Sequence, residues 1–199
     1  MNLNGWQIIL GSNSPRRREL LKGLDIDFEV DTGNNFQEHF GPEVPYDQVP
    51  RLMSEGKSLG FHRPLKEKEI LITADTMVIL PPDGNRPGEI LGKPKDREDA
   101  IRMLRDLSGR EHHVTTAVTL RSTQRQETFD VTTEVWFKAL SDEEITYYVD
   151  TDKPFDTAGA YAIQEWIGHA GITRIEGSYF NVVGFPVQRV YEALLRFIG

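Results

Sequence analysis

A serine- and arginine-rich segment near the N-terminus has residue types suited to binding phosphate. Ser12 and Ser14 precede three consecutive arginines at 16–18, and Pro15 marks the start of a helix. A helix N-terminus already has about half a positive charge, so three cations in its first turn are unfavourable unless an anion compensates for them. Backbone N–H groups, hydroxyls and guanidinium groups all bind phosphate oxygens. The pattern favours a phosphate site; the alternative is a solvated basic face on which Ser14 is only an N-cap.

A second candidate group is Asp75, which lies within the apolar segment 70–80. Taking a carboxylate out of water is costly, so Asp75 is expected to face a cleft, bind a cation or mark the end of a strand. A carboxylate in a cleft can activate water for attack on a phosphate, or hold a metal ion. Read alone, the segment is equally compatible with a strand-end aspartate that caps the next turn.

Lys93 and two adjacent histidines are weaker candidates. Lys93 lies in Gly-Lys-Pro, where it could neutralise phosphate, although an exposed turn is the simpler interpretation. His112 and His113 are neighbours in a predicted strand, so they point to opposite faces, and a structural role is favoured over joint metal binding. The sequence has neither G-x-x-x-x-G-K-[ST] nor G-x-G-x-x-G after a strand. Their absence argues against kinases, GTPases and dinucleotide-dependent dehydrogenases.

Mixed strand and helix patterns supply the elements that must position these groups. The patterns predict strands at 6–10, 27–30, 69–80, 114–120 and 129–137, and helices beginning near Pro15, Asp47, Asp96, Ser141 and Pro186. The segment 32–46, which has several glycines and prolines and no periodicity, predicts a loop over a cleft. Because strands and helices mix without strict alternation, the expected fold class is α/β with a mixed sheet.

Composition limits the class of protein further. A chain of 199 residues that is 38% hydrophobic is long enough for one domain spanning 1–199. The sequence has no cysteine, which excludes disulfides and thiol nucleophiles. The net charge of −8 disfavours non-specific nucleic-acid binding. Because no apolar run approaches the ~20 residues that span a bilayer and no signal peptide is evident, we expect no membrane association and a cytoplasmic location.

Five segments in order along the chain resemble the Maf family: 12–21, 74–76, 92–94, 158–164 and 175–186. The resemblance implies an α/β fold related to the inosine triphosphate pyrophosphatases, with a mixed elongated sheet flanked by helices, two lobes around a central cleft, and commonly a homodimer. It also implies hydrolysis of a nucleoside triphosphate to the monophosphate and pyrophosphate, with Mg²⁺ or Mn²⁺ as cofactor. The segments at 161–164 and 177–179 are similar to the family branch that acts on dTTP and UTP.

The resemblance also implies roles for individual residues. Asp75 matches the family's proton acceptor, and Arg16, Thr76 and Gln164 match positions linked to substrate choice. A glutamine amide can donate to a pyrimidine carbonyl and accept from the ring N3–H, so Gln164 suits a uracil or thymine edge. Further matching positions in the cleft are expected to face the phosphates, namely Ser12, Arg17, Lys57 and Lys93, to which the N-terminal pattern adds Ser14.

One segment departs from the family pattern. Many members have an acidic pair shortly after the second strand, whereas this sequence has Asn34 and Asn35, with Glu38 as the nearest carboxylate. If that acidic position helps to hold the metal, its ligand here is Glu38, an asparagine oxygen or a residue that the sequence does not reveal. The sequence therefore leaves the metal ligands unknown, with Asp75 and Glu38 as candidates.

Two other functions stay open on the sequence alone. One is a nucleotide-binding regulator that restrains cell division and septum formation, a role also associated with the family, in which turnover is not needed. The other is an enzyme of the family branch that acts on 7-methyl-GTP. Catalysis separates the first alternative from the leading hypothesis, and the effect of changing Gln164 on pyrimidine turnover separates the second.

Overall fold

A computed structural model of the protein describes residues 3–41, 43–84 and 87–199. The strands are β1 (Gln7–Leu10), β2 (Phe28–Val30), β3 (Glu69–Leu80), β4 (Glu89–Leu91), β5 (Glu111–Arg121), β6 (Gln126–Phe137) and β7 (Ile172–Glu176). The helices are α1 (Pro15–Lys22), α2 (Val49–Leu59), α3 (Arg97–Leu107), α4 (Asp142–Asp152), α5 (Trp166–Gly171), α6 (Tyr179–Val183) and α7 (Val187–Ile198), with a 3-10 turn at Ala158–Ala160.

The described strands form one 7-stranded mixed sheet in the order β2-β1-β3-β5-β6-β7, with β4 paired to β3. Strand β1 runs parallel to both β2 and β3. Strand β4 is antiparallel to β3, and β7 is antiparallel to β6. The mixed sheet with its flanking helices confirms the predicted α/β class.

Long elements with clear periodicity match their predicted positions, and short exposed ones were missed. Strand β3 has the predicted bounds, and α3 begins after its N-cap Asp96 as expected. Strand β7 was not predicted, because most of its residues are exposed and give no alternating apolar pattern. The predicted loop at 32–46 contains one isolated bridge, between Asn34 and Phe61, in its described part; Pro42 lies outside the described residues.

Contacts divide the protein into two compact units. The first joins the chain up to Asp75 with Thr116–Val131 and Gly184–Gly199, and the second joins Thr76–Thr115 with Thr132–Val183. Each unit has its own apolar core, and fully burying one large apolar side chain contributes about 1.5–3 kcal/mol to folding. The single domain over 1–199 stays a prediction.

Helix α7 shows how the sequence pattern builds the first core. Its buried residues recur every three or four positions along one face: Val187, Val190, Ala193, Leu194 and Phe197. They pack with the buried residues of β1 and β3, which include Ile8 and Ile70. In the described parts of the chain, no helix combines the length and apolar character needed to cross a membrane.

Candidate active site

A buried acid and a lysine form the centre of the site in the first unit. Asp75 lies on β3 and is 8% exposed. The Nζ of Lys57, from α2, lies 2.5 Å from Oδ1 of Asp75 and 3.1 Å from Oε1 of Glu38. One ammonium group therefore contacts two carboxylates, and these are the two residues that the sequence offered as metal-ligand candidates.

Burial dominates the electrostatics of Asp75. It raises the pKa of Asp75 above the ordinary value of 3.8, because the charged form loses its hydration, and Lys57 and Arg17 only partly oppose the rise. The second carboxylate oxygen, Oδ2, is buried and has no hydrogen-bond partner among the described residues. A buried acceptor left without a partner costs about 1–3 kcal/mol, so this oxygen is suited to receive a proton donor or a cation.

Two reciprocal hydrogen bonds explain why Lys57 reaches Asp75. The hydroxyl of Ser54 on α2 donates to the carbonyl oxygen of Thr73 at 3.2 Å, and the hydroxyl of Thr73 donates to the carbonyl oxygen of Ser54 at 2.8 Å. Ser54 also shares a hydrogen bond of 2.9 Å with Thr119 of β5. Residues three apart share a helix face and residues two apart share a strand face. Fixing Ser54 against Thr73 therefore directs Lys57 towards Asp75.

The start of α1 is tied to the same part of β3 through Arg17. Ser14 caps the helix by accepting from the backbone N–H of Arg17, and Ser12 Oγ accepts from the backbone N–H of Ser14 at 3.2 Å. The Arg17 guanidinium donates to the carbonyl oxygens of Ala74 at 2.8 Å and Gly184 at 3.0 Å. Burial lowers the pKa of Arg17, although an arginine stays cationic. Arg17 thus positions the backbone next to Asp75 as well as adding positive charge.

The segment that carries Glu38 is attached to α2 by its asparagines. The Asn34 amide donates to the carbonyl oxygen of Lys57 at 2.6 Å, and its oxygen accepts from the backbone N–H of Phe36 at 2.8 Å. The backbone N–H of Asn35 donates to the carbonyl oxygen of Gly60 at 2.8 Å. The oxygen of Asn34 is thus engaged within its own loop, which leaves Glu38 as the carboxylate that this loop brings to Lys57.

The remaining predicted site residues have different surroundings. Arg16 follows Pro15 in the first turn of α1, in the first unit. Thr76, Lys93 and Gln164 belong to the second unit. Lys93 makes an exposed ion pair with Asp156, while Thr76 is half-buried. Hydrogen bonds and ion pairs in the first unit connect the neighbourhood of Asp75 with these predicted residues: Ser12, Ser14, Arg17, Glu38 and Lys57. The second unit contains Thr76, Lys93 and Gln164.

A tyrosine hydroxyl holds the buried segment that carries the exposed Gln164, and sequence reasoning missed it. Tyr148 Oη accepts from the backbone N–H of Ala162 at 3.2 Å and donates to the carboxylate of Glu165. A β-carbon at Gly168 would overlap the backbone of this segment. In the sequence, Tyr148 gives only the signal of an apolar helix position, which is why its polar role was not predicted.

The histidines point to opposite faces of β5, as predicted. His112 is fully buried, and its Nε2 lies 2.7 Å from the hydroxyl of Tyr161, in the segment that carries Gln164. Burial lowers the pKa of His112 to about 3, so its imidazole is neutral at physiological pH. His113 is half-buried and is hydrogen-bonded to Glu111. His112 has the expected structural role, supporting Tyr161 from within the core.

The donor set of the first unit fits a hard divalent cation. Mg²⁺ and Mn²⁺ prefer oxygen ligands, and carboxylates are their usual protein ligands. Asp75 offers a buried oxygen without a partner among the described residues, and Glu38 shares the Lys57 ammonium with it. Lys57 already places one positive charge against both carboxylates, so the two side chains present their oxygens to a common cationic group.

A family model and curated relatives match nearly the whole chain. The Maf-like protein family model matches residues 7–197. The dTTP/UTP pyrophosphatase of Bacteroides thetaiotaomicron is 45% identical over 193 residues, which are 97% of each chain. The dTTP/UTP pyrophosphatase of Phocaeicola vulgatus is 46% identical with the same coverage. The solved structure of a HAM1 protein from Coxiella burnetii is 12% identical and covers 96% of this chain and 99% of that chain, with a TM-score of 0.46.

Proposed function

This chain belongs to the Maf-like protein family, and from that premise we propose that it is an enzyme that hydrolyses dTTP and UTP to the monophosphate and pyrophosphate. Two relatives named dTTP/UTP pyrophosphatase are 45% and 46% identical to this chain over 97% of its length. The observation that carries the proposal is the buried Asp75. Its Oδ1 lies 2.5 Å from the Lys57 ammonium, and its Oδ2 has no partner among the described residues.

In the proposed reaction, Asp75 is the general base. Hydrolysis breaks the phosphoanhydride bond between the α- and β-phosphates. A water oxygen forms the new bond to phosphorus, the water proton passes to the Asp75 carboxylate, and pyrophosphate leaves with the bond's electron pair. A carboxylate whose pKa is raised by burial is a stronger base than an ordinary aspartate, and Lys57 favours its ionised form.

The triphosphate is proposed to bind at the start of α1 and at Lys57. The helix N-terminus, the hydroxyls of Ser12 and Ser14 and the side chains of Arg16 and Arg17 supply the hydrogen bonds and positive charge that phosphate oxygens need. When substrate binds, Lys57 can exchange one of its two carboxylate contacts for a phosphate oxygen, which stabilises the charge that develops on the leaving group.

We propose Mg²⁺ or Mn²⁺ as the cofactor, with Asp75 and Glu38 as its protein ligands. When bound, such an ion neutralises triphosphate charge and lowers the pKa of water. The support is the pair of carboxylates around one ammonium group and the unpartnered oxygen of Asp75 within the described chain. Adding EDTA should abolish turnover, and restoring either metal should recover it.

Choice of base is proposed to depend on Arg16, Thr76 and Gln164, with Lys93 as a further phosphate contact. Gln164 is exposed at the end of a segment that is fixed by Tyr148 and so presents an amide that can pair with a uracil or thymine edge. The other three assignments rest on the family resemblance.

We also propose that the protein is a cytoplasmic homodimer and that it does not bind nucleic acid. Light scattering of the purified protein tests the dimer.

The deciding experiment measures pyrophosphate release with Mg²⁺ or Mn²⁺ from dTTP, UTP, CTP, 7-methyl-GTP and ITP, with Asp75→Asn beside the wild type. Release from dTTP and UTP that disappears in a folded variant is the expected result. Release from 7-methyl-GTP alone would indicate the other branch of the family. No release from any of these nucleotides would favour the nucleotide-binding regulator instead.

A further inference from the structure

A polar cluster that the proposed catalysis does not use lies on β5 and β6, within the second unit. It consists of Glu111, His113 and Glu134, all of them half-buried. One ligand atom from each residue, a carboxylate oxygen or an imidazole nitrogen, lies within 4.8 Å of the other two. The three side chains therefore converge on one point of the sheet surface.

The strands hold this cluster in place. Glu111 and His113 are two residues apart on β5, so their side chains share a face. The hydroxyls of Thr115 on β5 and Thr132 on β6 share a hydrogen bond of 2.9 Å, which pairs the strands near the cluster. The neighbouring residues Val114 and Val135 are buried in the core of the second unit. The cluster thus lies on the sheet face away from that core.

Among the described residues, no lysine or arginine pairs with Glu134, one of the two acids of the cluster. His113 Nε2 lies 3.1 Å from Glu111 Oε1. Within the described chain, Glu134 has neither a hydrogen bond nor an ion pair through its side chain, and the residue opposite it on β7 is another acid, Glu176. Like charges that face each other across strands are destabilising. The nearby Arg174 is already paired with Glu176 and lies 4.6 Å above the Trp136 ring.

We propose that Glu111, His113 and Glu134 bind one zinc-like divalent transition-metal ion. An imidazole nitrogen with two carboxylate oxygens is a ligand set that Zn²⁺ accepts, with bonds of about 2.0–2.2 Å, so ligand atoms around the ion lie about 3.4 Å apart. The nitrogen–oxygen distance of 3.1 Å in the cluster is close to that spacing. The ion takes the place of the hydrogen in the contact between His113 and Glu111, any proton held there is released to solvent, and open positions remain for water.

The ligand chemistry separates this site from the one around Asp75. The set of Asp75 and Glu38 offers only oxygen, which suits Mg²⁺ or Mn²⁺, whereas the nitrogen of His113 shifts preference towards Zn²⁺. The proposal does not rest on the proposed enzymatic function. An ion bound here joins two neighbouring strands, so it is expected to stabilise the second unit.

The experiment is a calorimetric titration of the metal-free full-length protein with Zn²⁺. The parent protein carries Asp75→Asn, so that the first unit contributes little to the zinc binding that is measured. Co²⁺ serves as the spectroscopic probe, because the intensity of its visible absorption reports the coordination number of the bound ion. We expect one Zn²⁺ per chain, and at least a tenfold loss of affinity in His113→Ala and in Glu134→Gln. Glu176→Gln, on the adjacent strand, is the matched control and should keep its zinc affinity within about twofold.

Thermal unfolding keeps the test informative if a variant is altered in stability. Metal-free Glu134→Gln loses like-charge repulsion, so its unfolding midpoint should equal or exceed that of the parent, while the upward shift on adding Zn²⁺ should disappear. The proposal is overturned if the parent binds no Zn²⁺, or if His113→Ala and Glu134→Gln, both folded, bind it as tightly as the parent.

Discussion

Two lysine–aspartate pairs in this protein have similar chemistry and very different surroundings. The side chains of Lys57 and Asp75 are 19% and 11% exposed, whereas those of Lys93 and Asp156 are 64% and 82% exposed. Exposed pairs are weakened by water and salt and contribute little to stability, because the charges gain little over hydration. A buried pair instead changes the protonation properties of its members. Burial, more than residue type, separates the proposed catalytic pair from the pair that holds the proposed phosphate contact.

The largest expected effect is that of Asp75→Asn. Removing the base while keeping the side-chain shape should lower kcat for dTTP by about 10²- to 10⁴-fold. Stopped assays of pyrophosphate release measure the loss. A variant with wild-type turnover would remove Asp75 from the mechanism and with it the contrast between the two pairs.

The same variant also tests the sign of the Asp75 pKa shift. Because its native pKa is raised, the Asp75 carboxyl contributes most to stability below its ordinary pKa of 3.8. That contribution is lost as pH rises through the native pKa. Asp75→Asn removes this pH-dependent loss of stability, and Lys57 keeps Glu38 as a partner in the variant. The unfolding midpoint of the variant at pH 7 should therefore equal or exceed that of the wild type; a clear decrease would contradict the raised pKa.

Lys57→Met should have the next largest effect. A charge-assisted hydrogen bond contributes about 1.5–3 kcal/mol, so kcat/KM should fall roughly ten- to hundredfold. Because Lys57 opposes the rise in the pKa of Asp75, its removal should also move the acid limb of the kcat/KM profile to higher pH. Lys57→Arg is the control that keeps the charge. An unshifted acid limb in Lys57→Met would mean that the lysine does not act on Asp75.

The sequence was sufficient for the elements with strong local signals. Helix α4 begins at Asp142, directly after the predicted N-cap Ser141, where the capping box with Glu144 is present, and β3 spans its predicted range. These signals lie within a few residues of one another, so no tertiary information is needed to read them. Strand β5 extends beyond its predicted range at both ends, and β6 begins earlier than predicted and ends as predicted, because partly polar residues also pair there.

The connections between elements were not predictable from the sequence. That Lys57 contacts Asp75 depends on the packing of α2 against β3, which the buried Ser54 and Thr73 fix through long-range hydrogen bonds. Glu38 was a candidate by proximity in sequence alone, and its contact with Lys57 follows from how the loop folds onto α2. The family resemblance named most of these residues, and the structure supplies the contacts among those in the first unit.

Tyr148→Phe should have a smaller effect that falls on selectivity. The variant lacks the Tyr148 hydroxyl, so Ala162 and Glu165, in the segment that carries Gln164, each lose their hydrogen bond to it. One neutral hydrogen bond contributes about 0.5–1.5 kcal/mol, so the ratio of kcat/KM for dTTP over CTP should fall by up to roughly tenfold, with kcat largely kept. Tyr147→Phe, at the adjacent and exposed position, is the matched control. Equal ratios in both variants would show that Tyr148 does not position Gln164.

Lys93→Met should have the smallest effect. It is the exposed counterpart of Lys57→Met, so the two variants compare the loss of an exposed and of a buried lysine. Because the Lys93–Asp156 pair is exposed, its loss should leave the unfolding midpoint unchanged and should not move the acid limb of the kcat/KM profile. If Lys93 contacts phosphate, KM for dTTP should rise by about tenfold or less, and more at low salt, since an exposed charge is screened. A pH shift like that of Lys57→Met would mean that Lys93, too, acts on the base, and that exposure does not separate the two pairs.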